Sequence, residues 1–178
     1  MKNRIPKYIL AVGCAFLLVT TLTGCTWCRA GSPGPIGKYG IEVNLDDSLK
    51  SSSVIVDVVG VNQSALPRWE AYDMGKYWKE GDPMRKDADK AVLTFVSGQS
   101  TNKTLLATDP IWAKWKSQGV SHVLVLADLP GVQTSKPGTQ DARRQILSLD
   151  KCSWVSGSKQ LRVMVQRSGI VVLTPGRR

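Results

Sequence analysis

A small β-sandwich is the fold class that this 178-residue chain predicts. Short runs that are β-branched, or that alternate apolar with polar residues, recur along it. Clusters of Gly, Pro, Ser and Asp separate them, and helical spacing surfaces in only two places. Together these observations give a mainly β, antiparallel sandwich of about seven strands with one or two short helical insertions.

Taken in order, the first strand falls at residues 39–45, where Tyr39, Ile41, Val43 and Leu45 share one face. A polar loop at 46–53 follows. Residues 54–61 are β-branched almost without interruption, which marks a central strand. From 62 to 90 the texture changes. Ser64 and Pro67 open a helical insertion, Trp69, Tyr72 and Lys76 recur at helical spacing, and Tyr77 and Trp78 make this the aromatic-rich part of the domain. Rings so spaced turn inward more often than toward a partner, so the insertion is expected to cap an open end of the β-structure. Residues 80–90 read as a charged, solvated loop with one helical turn. Strand resumes at 91–96 and a turn follows at 98–103. Asp109 and Pro110 then open a short helix carrying Trp112 and Trp115, which Gly119 closes. Strands at 120–129, 143–149, 160–166 and 170–173 complete the set. Leu161, Val163 and Val165 face inward, and the last two strands form a hairpin across Arg167-Ser168-Gly169.

The amino-terminal segment reads as an export signal. Lys2, Arg4 and Lys7 precede an apolar run at 9–19, and no acid occurs before Glu42. The run is shorter than the roughly 20 residues a spanning helix needs and fits a cleaved leader. Leu22-Thr23-Gly24-Cys25 resembles, at every position, the lipobox of bacterial lipoproteins. That resemblance implies cleavage after Gly24 and acylation of Cys25. Each buried CH₂ contributes about 0.8 kcal/mol, so several chains on one residue make a permanent tether. Thr26, where an inner-membrane lipoprotein often carries Asp, favours the outer membrane. The expected organisation is a signal peptide at 1–24, a lipidated Cys and flexible Gly/Pro linker at 25–38, and one domain at 39–178.

Lys and Arg number 24 against 14 Asp and Glu, a formal charge of +10. An exported domain without a stripe of basic residues interleaved with aromatics is not a nucleic-acid binder. Anionic headgroups or an acidic partner fit the charge, and solubility alone accounts for it equally well. Cys14 leaves with the leader and Cys25 takes lipid, so Cys28 and Cys152 remain. The oxidising envelope permits a bridge between them, but sequence gives no distance, and their pairing stays open. The one histidine, His122, lies inside an apolar strand. There is no Gly-x-Ser-x-Gly elbow and no phosphate-cradling loop. Asp82, Asp87 and Asp89 lack the spacing of a calcium loop. The Cys-x-x-Cys at 25–28 loses its first thiol to lipid. The reading is a binding protein without catalytic residues, metal, cofactor or small-molecule substrate.

In its order of elements the mature chain resembles the TssJ family of type VI secretion lipoproteins. The likeness is carried by the lipobox, residues 53–59, the aromatic insertion around Trp69-Glu70-Ala71-Tyr72, residues 123–127 and the final 170–175. The resemblance implies a transthyretin-like sandwich on the periplasmic side of the outer membrane. It also implies a structural role: holding the periplasmic domain of an inner-membrane protein through the loop between the first two strands, here Asp46, Asp47, Leu49 and Lys50. That loop is shorter, and the insertion at 66–90 longer, than the family pattern. The alternative is a generic envelope lipoprotein that binds through strand addition, with no secretion role.

Overall fold

In the computed structural model the described residues are Cys28, 34–129, 131–132, 141–155 and 157–177; Cys25 and the leader lie outside them. The elements run β1 (Gly40–Leu45), β2 (Val54–Asn62), α1 (Leu66–Ala71), α2 (Met74–Tyr77), α3 (Pro83–Asp87), β3 (Lys90–Phe95), β4 (Asn102–Leu105), α4 (Ile111–Ser117), β5 (Val120–Ala127), β6 (Arg144–Ser148), β7 (Gln160–Gln166) and β8 (Gly169–Val172). They form two four-stranded sheets, ordered β4-β1-β7-β8 and β3-β2-β5-β6.

The sandwich is as expected, and the described residues supply eight strands. The additional one is β4, which falls where residues 98–103 read as turn. Its sequence, Asn-Lys-Thr-Leu, has no apolar alternation. It is a strand because the free edge of β1 pairs it, from Ile41 opposite Leu105 to Asn44 opposite Asn102. All neighbouring strands are antiparallel except β1 and β7, which run parallel with Val43 beside Val163. A parallel pair cannot be closed by a hairpin. Here the chain between them builds the whole of the second sheet and β4 as well.

Between the sheets the core is apolar. Alternate residues of β2 (Val54, Val56, Val58) and β5 (Val123, Val125, Ala127) meet Ile41 and Val43 of β1 and Leu161, Val163 and Val165 of β7. Trp115 from α4 closes one end of this layer, its Nε1 donating to the Asp89 carbonyl at 3.1 Å. It fits because Gly60 faces it: a Cβ at Gly60 would stand 2.6 Å from the indole ring.

The other residues of β2 and β5 face outward, and the helical insertion covers them. Val59, Val61, Leu124 and Leu126 form a second cluster with Leu66, Trp69, Met74, Tyr77 and Met84. The aromatic rings do turn inward, but onto the outer face of a sheet rather than over an open end. This explains the unbroken apolar run of 54–61, which is buried on both sides. The insertion is three short helices: the stretch read as one helix divides into α1 and α2, and α3 is the helical turn expected within 80–90. After α1 the chain becomes extended at Tyr72, and Asp73 and Asp82 each accept a backbone N–H to start a new helix. Among the described residues no helix is long and apolar enough to cross a membrane.

Candidate functional site

β1 rises about 3.3 Å per residue, so its six residues separate two ends of the sandwich by roughly 20 Å. One end is the root of the amino-terminal segment. Cys28 and Cys152 are joined there in a disulfide, with Cα atoms 5.4 Å apart. Cys152 lies in a 3-10 turn, Lys151–Ser153. Asp150 organises the turn: one carboxylate oxygen accepts from the Cys152 N–H at 2.7 Å and the other from the Gly34 N–H at 2.8 Å. Gly37 N–H donates to the Leu149 carbonyl and Lys151 N–H to the Pro35 carbonyl.

Residues 34–37, which read as part of a flexible linker, therefore lie hydrogen-bonded along 149–151. Their Gly/Pro composition reflects close approach as much as freedom. A Cβ at Gly34 would stand 2.4 Å from Cys152 Sγ.

The other end carries the loop at 46–53. Asp46 caps a 3-10 turn, Asp47–Leu49, by accepting from the Ser48 N–H at 3.0 Å. Hydrogen bonds from the Ser48 side chain and backbone hold the Asp46 carboxyl below its usual range. Leu49 is 1% exposed and belongs to the core. It anchors the loop and offers nothing to a partner. Asp47 and Lys50 pair at 2.8 Å on the exposed side. Two further turns buttress the loop: Gly98 N–H donates to the Lys50 carbonyl, and Arg167 Nε to the Ser48 carbonyl at 2.9 Å. Neither contact is visible in local sequence, since one partner arrives from the β3–β4 connection and the other from the β7–β8 hairpin.

Sequence reasoning also passed over two buried polar anchors beneath the insertion. Asp57, in the middle of β2, is 0% exposed. Its Oδ2 accepts from the Tyr77 hydroxyl at 3.0 Å and from Arg85 Nε at 2.9 Å, and Arg85 lies over the Trp78 ring at 4.5 Å. Burial first, then the neighbouring Asp57 charge, push the Tyr77 hydroxyl pKa far up. Arg144, at the start of β6, sends Nη1 to the Trp69 and Tyr72 carbonyls and Nη2 to the Glu70 carbonyl, at 2.7–2.9 Å. It caps the carboxyl end of α1. A lone Asp inside a β-branched run was the available signal for the first anchor. Nothing local marks the second.

His122 is half-buried, its Nδ1 2.9 Å from Ser121 Oγ, and burial lowers its pKa. Among the described residues no group of three or more His, Cys, Asp or Glu could hold a metal. The two polar constellations around Asp57 and Arg144 are spent on holding helices to a sheet.

The class defined by this architecture is a two-sheet sandwich with one outer face roofed by helices and its amino-terminal root stapled to one end. No protein-family model and no curated protein matches the sequence. Among solved structures the chain is similar to the C-terminal domain of the type VI secretion protein TssM from EAEC. The TM-score is 0.50 at 9% identity, over 76% of this chain and 99% of that one. Serratia marcescens Lip, a membrane-bound component of the type VI secretion system, gives 0.49 at 10% identity, over 76% and 96%. The type VI secretion lipoprotein TssJ1 from Pseudomonas aeruginosa gives 0.43 at 10% identity, over 81% and 100%. What is shared with the TssM domain is the fold.

Proposed function

We propose that this chain is a lipid-anchored structural component of a type VI secretion envelope complex, on the periplasmic side of the outer membrane. In this reading acyl chains on Cys25 fix it to the membrane, and the loop at 46–53 meets the periplasmic domain of an inner-membrane component. The observation that carries the reading is the placement of the two ends. The root of the tether is stapled at the start of β1 and the braced loop stands at its finish, so an anchored domain presents that loop away from its own bilayer. The lipobox-like Leu22-Thr23-Gly24-Cys25 and the fold shared with a type VI secretion domain support it.

Two measurements test it. Cys25→Ser should move the protein from membranes to the soluble envelope fraction; protein that stays membrane-bound after a carbonate wash would rule out the lipid anchor. Calorimetric titration with the periplasmic domain of the inner-membrane component from the same secretion cluster should show binding that Asp47→Lys and Lys50→Glu, separately, weaken. Absence of binding, with the anchor intact, would leave the generic envelope lipoprotein.

A further inference from the structure

The lipid anchor proposed above has a geometric consequence once the disulfide is considered. Sequence alone leaves 14 residues, 25–38, between lipid and domain. The bridge shortens the tether to the three steps from Cys25 to Cys28, at most about 11 Å of extended chain. The headgroup layer on each side of a bilayer is itself roughly 6 Å thick. Cys28 and the turn it is bonded to are thereby held within a side chain's length of the headgroups.

The surface around that turn is composed for such contact. Two neighbouring cavities of about 400 and 510 Å³ open there, sharing Gly37 and Lys38 in their walls. Among the described residues the lining of both contains no Asp or Glu, and its apolar part includes Trp112 in one and Trp154 in the other. Ile36 and Val155 project at 53% and 48% exposure. Around them stand Lys38, Lys151, Lys159 and Arg177, all exposed, and none of the four makes an ion pair among the described residues. The nearby carboxylate, Asp150, has both oxygens turned onto backbone N–H groups. Apolar tips within a basic rim are what an anionic lipid surface binds: the tips enter the interface and each cation adds attraction to lipid phosphates.

We infer that the disulfide end of the sandwich is a second membrane contact, resting on anionic phospholipid headgroups and fixing the orientation of the anchored domain. The test is hydrogen–deuterium exchange of the full mature protein on vesicles of phosphatidylcholine alone or mixed with phosphatidylglycerol. Retention on the neutral vesicles reads the acyl anchor separately from docking. Docking predicts slowed exchange at 34–39 and 151–159 on the mixed vesicles only. High salt should relieve it, and neutralising Lys151 and Lys159 with Gln should reduce it by about fivefold per charge. Both side chains are exposed, and an unchanged melting curve verifies the fold. Retained protein with equal exchange on the two vesicle types overturns the inference while leaving the anchor standing, as does protection confined to another face. Protein that is lost from neutral vesicles yet held and protected at this end on mixed ones supports docking without the anchor.

Discussion

The two faces of the sheet β3-β2-β5-β6 are made from the same strands yet sealed by different means. Inward, Val54, Val56, Val58, Val123 and Val125 meet a second sheet whose backbone groups are already paired in its own ladder. No polar side chain is required. Outward, the cover is three helices of six, four and five residues. Isolated helices shorter than about 12–15 residues are marginal in water, so this roof takes its stability from what it sits on. That is why the outer face carries Asp57, holding Tyr77 and Arg85, and Arg144, holding the last carbonyls of α1. An apolar layer suffices where the covering element is self-satisfied, and polar anchors appear where it is not.

The contrast can be broken from either side. The largest effect is expected inside: Trp115→Ala empties the closure of the main core and should lower stability by about 3–5 kcal/mol, read by denaturant titration. A loss under 1 kcal/mol would mean that α4 does not close the core. On the outer face, Arg144→Leu removes a charged donor from three carbonyls and should cost about 2 kcal/mol. Its signature is local: amide exchange in α1 and α2 should accelerate before the sheet opens. Tyr77→Phe deletes one hydroxyl bonded to Asp57 and should cost about 1 kcal/mol, with the fold retained.

The smallest effect is a pH slope. Tyr77 ionises near 10.0 when unfolded, and burial holds its folded pKa well above that. Above pH 10 the unfolded chain therefore binds fewer protons than the folded one. Stability from this group is complete below pH 10 and declines as pH rises further. Tyr77→Phe should flatten that decline without altering behaviour at neutral pH. An unchanged alkaline slope would show that the hydroxyl is not buried against Asp57.

Much of the scaffold was legible because it rests on periodicity. Alternation at 39–45 and 160–166 named the residues that line the core, and the aromatic spacing near Trp69 announced rings turned inward. What escaped depends on partners distant in sequence. β4 is a strand only because β1 has an open edge, and the insertion breaks at Asp73 and Asp82 where carboxylates cap new helices. Leu49, read with its neighbours as a contact for a partner, is a core residue because the 3-10 turn rotates it inward. Of the candidate site, residues 34–37 looked mobile by composition and are paired along 149–151 through long-range hydrogen bonds.

The order of residues is enough to fix the local terms: which runs prefer extended backbone, where the chain turns, and the charge it carries. These follow from neighbours within a few residues. It takes the folded arrangement to bring Cys28 to Cys152 across 124 positions, to put Asp57 under a roof rather than in water, and to gather four cations from separate segments at one end with two exposed apolar tips. Each of those depends on how the two sheets stack and where the chain crosses between them, and no local pattern encodes a distance between residues that far apart.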